Sequence, residues 1–575
     1  MSFRAILWRY LVPQRRRVTF LVLLLAASIG LQLANPQILR AFIDRTTSGG
    51  ELSVLLQLAG LFVVVAVLNQ GAAVAEVAVA ENVGLTATNE LRADLTQHCL
   101  ELDLAFHRAR TAGELIERVD GDVANLSNFF ARFVVQIVGN GILVVAVLAL
   151  LFAVHPWVGA ATTLLAVIAM LVLYGVRNVG AGPWERARAA SADLFGFLEE
   201  RLAGTEDIRS SGAVDYVLRR LAERHRALLR TQLLAMVIGI TAGNLGNLLL
   251  TLTTVVGLGI GAVLFRGGAL TIGAVYLIYA YTRLLSRPIE QLSRQLQDLQ
   301  KASASLERIR HLFALRPTLV GGRLRLPAGP LAVDLDRVSF AYDDGEPVLR
   351  QVEVLIEPGE VVGLLGRTGS GKTSLARLVA RLYDPTDGAV RVGGINLRET
   401  SLADLRRAIG VVTQDVQIFR ASVRDNLTLF DATISDDAIR TVLETLGLEE
   451  WARALPAGMA SVLGTGAVGI SAGEAQLLAF ARVFLRNPGL VILDEASSRV
   501  DPATERRIES ALDRLLVGRT AIIIAHRLAT VERADRIVIL DDGAVVEAGR
   551  RADLAADPTS RFARLLRVGL AEALA

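Results

Sequence analysis

The sequence predicts a two-part chain: a helical half that crosses the membrane six times, then a cytoplasmic α/β half built around a parallel sheet. Three observations carry that expectation. Mean hydropathy is +0.44, well above that of an ordinary soluble protein. Charge-free runs long enough to cross a bilayer follow one another through the first half of the chain. In the second half an apolar strand runs into a glycine-rich loop and then a helix. A chain of 575 residues exceeds what one hydrophobic core holds, so at least two domains are expected. The expected boundaries are 1–315 for the membrane domain with its cytoplasmic extensions, 316–330 for a linker with scattered prolines and glycines, and 331–575 for the second domain.

A bilayer core of about 30 Å needs roughly 20 apolar residues in a helix. The runs 18–39 and 52–75 meet this. The run 133–176 has no acidic side chain, lysine or arginine, and His155-Pro156 splits it into a hairpin of two spans. The run 232–265 supplies a fifth, and 269 to about 285 a sixth, which Arg283, Tyr276, Tyr279 and Tyr281 make amphipathic. A large soluble protein with buried helices does not account for uncharged runs on this scale. Arg15, Arg16 and Arg17 precede the first span, and segments 76–132 and 177–230 are arginine-rich, whereas the outer loops hold only Arg40, Arg45 and Arg266. Both termini therefore face the cytoplasm. Residues 1–17 mix apolar and arginine side chains, suiting a helix along the inner surface, with no cleavable signal pattern. The second span continues as a polar helix through Glu76, Glu81, Arg92 and Asp94, and the sixth continues to about Phe313.

The formal charge of +3 is nearly balanced, against a protein that coats nucleic acid. The single cysteine, Cys99, forms no internal disulfide and offers no thiolate metal cluster. Of 61 basic side chains only Lys301 and Lys372 are lysines. Lys372 closes the run Gly366, Arg367, Thr368, Gly369, Ser370, Gly371, Lys372, Thr373, of the form G-x-x-x-x-G-K-[ST]. Backbone N–H groups of such a loop wrap phosphates, and glycines let the backbone approach. The cation inside must be a compact point charge, which arginine's planar fork is not. Thr373 would hold Mg²⁺ through its hydroxyl. Val361–Leu365 reads as a buried strand and Ser374–Ala380 as a helix, the context the motif requires, so the chain is expected to bind a nucleoside triphosphate.

Leu490–Leu493 is a fully apolar strand ending in Asp494 and Glu495. Ligands gather at the carboxyl ends of such strands. Asp494 would join the Mg²⁺ shell, and Glu495 could take a proton from attacking water, help worth about 10²–10⁴ in rate. Ser471, Ala472, Gly473 and Glu474 open a helix that runs through Arg486. Ser471 and Glu474 match a capping box, so an ordinary helix start stands beside a helix N-terminus aimed at phosphate.

Taken together, these motifs resemble the ATP-binding cassette superfamily, in the half-transporter arrangement of exporters: six spans followed by one nucleotide-binding domain. The resemblance covers nearly the whole chain. It implies that Ile470–Gln476 is the signature, most often L-S-G-G-Q-x-Q. Gln414 is similar to the Q-loop glutamine that touches Mg²⁺, and His526 to the switch histidine at the γ-phosphate. Tyr342 matches the aromatic that stacks on adenine, Asp501 the D-loop, and Ser374 follows the loop threonine among the nucleotide contacts. Without the resemblance, Tyr342 and His526 would read as structural. Segments 111–120 and 200–209 resemble the loops whose short helices dock on the cassettes, one of them on the partner's.

The resemblance further implies two cassettes in a head-to-tail sandwich, each ATP lying between one chain's phosphate loop and the other's signature. Lys372, Gln414, Asp494, Glu495 and His526 leave the catalytic face intact. The departures sit on the other face: Ala472 for the first glycine, Glu474 for glutamine, Thr465 for a glutamate and Arg499 in the D-loop. A second half-transporter in a heterodimer is the first reading, a homodimer the second. Polar residues within the spans (Gln32, Asn35, Asn69, Gln70, Gln136, Asn140, Asn244, Asn247) either line a cavity or join helices. No uninterrupted span holds a fixed charge, which favours an amphipathic or lipid-like small-molecule cargo. The expected activity is ATP-driven export from a bacterial inner membrane with ATP and Mg²⁺ as cofactors. Uptake on the same architecture and an ATP-gated regulatory protein remain as alternatives.

Overall fold

The computed structural model describes residues 8–132, 137–342, 345–464, 469–494, 502–525 and 528–568. Contacts divide the chain into two compact units. One holds the residues up to Leu100 with Ala112–Leu315, the other Glu101–Thr111 with the chain from Arg316 onward.

Among the described residues the first unit is helical: α1 (Arg15–Thr47), α2 (Leu52–Glu101), α3 (Asn140–Val154), α4 (Pro156–Ala203), α5 (Val214–Arg266), α6 (Ile272–Leu284) and α7 (Ser286–Ala314) are its long elements. Among the described residues four helical stretches are long and apolar enough to cross a membrane: Trp8–Thr47, Leu52–Glu101, Ile137–Val154 and Val214–Arg266. A shorter apolar stretch, Pro156–Val172, opens α4. The 50 residues of α2 extend about 75 Å, more than twice a hydrocarbon core, so its polar end runs on into water. Val63, Val64, Val67 and Leu68 are exposed on α2, as side chains facing lipid are. The hairpin break falls where the sequence puts it: α3 stops at Val154, His155 is extended, and Pro156 opens α4 at a position that needs no N–H.

Leu25, Ile29, Val147, Leu151, Val158, Ala169, Leu277 and Ile278 form the packed centre of this unit. Tyr281 is fully buried there; its hydroxyl donates to Leu33 O at 3.1 Å and accepts from Gln37 at 2.9 Å. Asp44 of α1 caps α6, accepting from Gly273 N and Thr271 Oγ1, both at 2.9 Å, a carboxylate placed at a helix N-terminus. Of the polar residues within the spans, Asn140 donates to Gln291 of α7 at 2.7 Å and so joins helices. Gln136 lies outside the described residues. The expected unbroken sixth helix is not continuous: α6 ends at Leu284 and α7 begins at Ser286. Pro288, in the first turn of the restarted helix, has no N–H to return to Leu284.

Among the described residues the second unit has ten strands in two sheets. β1 (Val333–Ala341), β2 (Pro347–Ile356), β4 (Asp387–Val392) and β5 (Ile395–Asn396) form an antiparallel sheet of order β2-β1-β4-β5. β3 (Val361–Leu365), β6 (Ile409–Val412), β7 (Leu490–Asp494), β8 (Thr520–Ile524), β9 (Arg536–Asp541) and β10 (Ala544–Arg550) form the other, of order β10-β9-β3-β8-β7-β6. Every residue of β3 and β8 is buried, the mark of strands covered on both faces. The chain after Arg316 lies along this unit: Gly322 N donates to Thr400 O at 3.0 Å and Leu326 N to Asp404 at 3.0 Å.

Glu101–Thr111, which runs up to the segment 111–120 that the resemblance implies is a cassette-docking loop, groups with the cassette unit. The physical reason is local. Leu102 is buried, and the Asp103 carboxylate accepts from the N–H and hydroxyl of Thr318 and from Leu319 N at 3.3 Å. Residues 112–121 instead continue as helical turns of the first unit.

One ion pair braces the first unit. The Asp122 side chain, 2% exposed, accepts from Arg308 Nε at 2.9 Å, and Asn125 donates to Ser305 at 3.1 Å beside it. Removing Arg308 strands a buried carboxylate, with Arg118 at 3.6 Å as partial relief. Arg308→Ala should cost about 1–3 kcal/mol, less than a fully buried pair because the arginine is 42% exposed. Asp122→Leu with Arg308→Leu should regain most of that loss, read as the thermal midpoint of the purified chain.

Candidate nucleotide site

β3 delivers the chain into the glycine loop, and α8 (Lys372–Val379) carries it away. Gly366, Ser370, Gly371 and Lys372 are buried, while Arg367, Thr368 and Gly369 form the exposed tip. Ser370 N donates to Arg367 O at 3.1 Å, closing the turn. The Lys372 ammonium reaches back into the loop and donates to Gly366 O at 2.7 Å and Arg367 O at 2.9 Å. The Ser370 hydroxyl is buried without a hydrogen-bond partner among the described residues. A buried donor left open beside an ammonium and a helix N-terminus fits a phosphate oxygen.

Gly366 has φ +148°, and a Cβ there would lie 2.2 Å from Leu540 O. Gly369 has φ +86° with open space around it. The first position is closed to any side chain by contact as well as conformation, the second by conformation alone. At the far end of α8, Arg406 donates to Ala380 O and to Arg381 O at 3.1 Å, a cation on the carbonyl end of the phosphate-loop helix. Burial and then the charge of Arg381 hold the Arg406 pKa below the usual arginine value.

Register brings the other candidates to the same edge. β3, β8, β7 and β6 are adjacent and parallel, with Leu364 opposite Ile524, Ile524 opposite Asp494, and Leu493 opposite Val412. Asp494 therefore ends its strand level with the start of the glycine loop. Gln414, exposed, stands two residues beyond β6 at that same carboxyl edge. Thr373 is half-buried in the first turn of α8. The hydroxyl of Thr373, the amide of Gln414 and the carboxylate of Asp494 are hard oxygen donors, which suits Mg²⁺ bound together with phosphates. Among the described residues no group of three or more His, Cys, Asp or Glu forms a metal cage of its own. Glu495, Asp501, His526, Thr465 and Arg499 lie outside the described residues.

Tyr342 follows the end of β1. Its hydroxyl lies 2.9 Å from Ser374 Oγ and accepts from Arg377 Nη1 at 3.2 Å. Buried Phe340 and half-buried Tyr383 pack edge-to-face with it, ring centroids 4.7 and 5.2 Å away. Arg377 and Tyr383 were not among the residues expected here. The signal for Arg377 is its place three residues after Ser374, on the same face of α8.

The helix α9 (Ala472–Arg486) opens with the capping box formed in full. Glu474 N donates to Ser471 Oγ at 3.2 Å, and Glu474 Oε2 accepts from Ser471 N at 2.7 Å and from Ser471 Oγ at 2.9 Å. Both the hydroxyl and the N-terminal backbone are thus engaged by a carboxylate of the same helix. Gly473 is buried and Ala472 exposed at its start.

A parallel sheet with a lysine-closed glycine loop at its carboxyl edge, in one chain with helices of membrane length, defines a membrane protein coupled to a phosphate-binding cassette. The comparisons with known proteins agree. The family model for the ABC transporter transmembrane region matches residues 18–289, and that for the ABC transporter matches residues 349–498. The ATP-dependent lipid A-core flippase of Burkholderia thailandensis is 30% identical over 555 residues, covering 95% of this chain and 92% of its own. A fatty acid ABC transporter ATP-binding/permease protein of Mycobacterium bovis is 30% identical over 470 residues, 81% of this chain and 74% of its own. A bacterial Atm1-family ABC exporter solved with ATP bound has the same fold, with TM-score 0.81 and 24% identity over 96% of this chain and 98% of that one. The chain belongs to the ATP-binding cassette transporter family, as a half-transporter of the exporter fold.

The two glycines separate contact from conformation. Gly366→Ala should abolish nucleotide binding and destabilise the cassette, whereas Gly369→Ala should cost about 1–2 kcal/mol and keep measurable binding. Thermal unfolding with and without ATP reads both.

Proposed function

We propose that this chain is one half of a dimeric, ATP-hydrolysing exporter that moves an amphipathic or lipid-like molecule out of a bacterial cell through the inner membrane. The observation that carries the reading is the Lys372 ammonium seated inside the Gly366–Thr373 loop, in the same chain as helices of membrane length. Six spans, cytoplasmic termini and a cassette from about residue 331 complete the proposed topology. The relatives named for a lipid A-core and for a fatty acid support a lipid-like cargo.

In the proposed reaction the loop backbone and Lys372 hold the β- and γ-phosphates, Ser374 and Tyr342 position the nucleoside end, and His526 contacts the γ-phosphate. Thr373, Gln414 and Asp494 would hold Mg²⁺, which neutralises phosphate charge when bound. Glu495 takes a proton from water as its oxygen attacks the γ-phosphorus and the bond to the β–γ bridging oxygen breaks, leaving ADP and phosphate. Asp501 links the two sites across the dimer. Ser471, Ala472, Gly473 and Glu474 serve the partner's nucleotide.

We favour a heterodimer because of that last group. A phosphate arriving at α9 would meet the Glu474 carboxylate, already holding the Ser471 hydroxyl, together with an extra methyl at Ala472. Both oppose close approach of an anion. The partner half would supply the sound signature.

The test is steady-state ATPase activity in lipid nanodiscs, for the chain alone and with a half-transporter encoded beside it. Activity that needs the partner and disappears with Glu495→Gln is expected. Full activity of the chain alone would mean a homodimer, and no hydrolysis in either sample would overturn the pump. Glu474→Gln keeps a capping acceptor while removing the charge, and should raise turnover of the heterodimer.

A further inference from the structure

The face of Tyr342 is already covered. Arg108, in the short helix Leu104–Arg108, places its guanidinium carbon 4.4 Å from the Tyr342 ring centroid. At that distance the cation lies against the π-face. Nothing can be inserted between them, because a stacked base needs about 3.5 Å on each side of its own plane. The tyrosine itself is held from other directions: Phe340 and Tyr383 pack edge-to-face, and Ser374 and Arg377 fix the hydroxyl. The tyrosine is therefore held by its own cassette, and the exposed arginine covers it. Arg108 is exposed, whereas the rest of its segment is tied down by buried Leu102 and by Asp103 on Thr318 and Leu319.

The position of that segment gives the contact its interest. Glu101–Thr111 packs with the cassette unit, yet in sequence it is the turn between α2 and the next helices of the membrane unit. The ring assigned to the nucleobase thus carries a side chain from a segment that sequence places between two stretches of the membrane unit but that packs within the cassette unit.

We infer that Arg108 is a further residue of the nucleobase site: it competes with the purine for Tyr342, so that base binding displaces the guanidinium and sets nucleotide affinity. The inference rests on the reading that the Lys372 loop holds ATP. It concerns the base and not the phosphates, because the contact is to the ring. Arg108 is a positioning residue that acts through Tyr342.

Direct binding tests it, on the full chain in nanodiscs by calorimetry without Mg²⁺, with ATP and inorganic tripolyphosphate as paired probes. Arg108→Ala should tighten ATP about two- to fivefold, the worth of one exposed cation–π contact, and leave tripolyphosphate unchanged. Arg108→Lys should fall between. With Tyr342→Ala as background, Arg108→Ala should no longer alter ATP binding, since the contact is already gone. Weaker ATP binding on Arg108→Ala would overturn the inference, as would an equal change for both probes or an effect that survives Tyr342→Ala. Lys372→Ala separates the two layers. If ATP and tripolyphosphate both bind wild type and are lost with Lys372→Ala, the phosphate reading stands whatever Arg108 does; if they are not lost, that reading fails by itself.

Discussion

The ammonium of Lys372 inside its own loop is the interaction on which the cassette is organised. Two carbonyls, of Gly366 and Arg367, point inward and accept from it. Without a cation there, those dipoles would converge on empty space in a buried turn, at a cost. The lysine thus supports the loop, and in the proposed function its stem would let it turn toward phosphates. β3 must be buried to hold the loop's first residue against Leu540, and α8 must start at the lysine for its N-terminus to face the same point. Arg406 and Arg381 then satisfy the far end of that helix and the chain beyond it.

From this centre the parallel sheet distributes the remaining chemistry. Parallel strands in register end at one edge, so side chains far apart in sequence, Gln414 and Asp494 against Thr373, come to one side of the sheet. The membrane unit is organised on a different principle. Its longest helices, α2, α4 and α5, far exceed a bilayer's thickness, and individual polar contacts join helix to helix: Asp44 on the start of α6, Asn140 on Gln291, Asp122 on Arg308. Each pins one helix to another at a single height.

Much of this was legible in the sequence because the constraints are local. Glycine at 366 is forced by backbone geometry and a carbonyl 2.2 Å from any Cβ, and five apolar residues before it can only be a buried strand. The capping box of Ser471 and Glu474 was likewise readable, since its partners are three residues apart. What was not legible depends on distant partners or on competing signals. The break after α6 comes from one missing N–H at Pro288, which the helical periodicity on either side conceals. The docking of Glu101–Thr111 depends on Asp103 meeting Thr318, and the covering of Tyr342 on Arg108, contacts between segments that share no pattern. A solvated amphipathic turn looks the same whether or not an aromatic ring waits for its arginine.

In the proposed function a triphosphate takes Lys372 away from its own carbonyls. Cryo-electron microscopy of the full chain in nanodiscs, at saturating concentrations of a slowly hydrolysed ATP analogue with Mg²⁺, tests it directly. The expected result is triphosphate density within the Gly366–Thr373 loop, with the lysine ammonium turned from Gly366 O and Arg367 O onto phosphate oxygens. Triphosphate density elsewhere on the chain, or a loop whose lysine still holds both carbonyls at saturation, would contradict it.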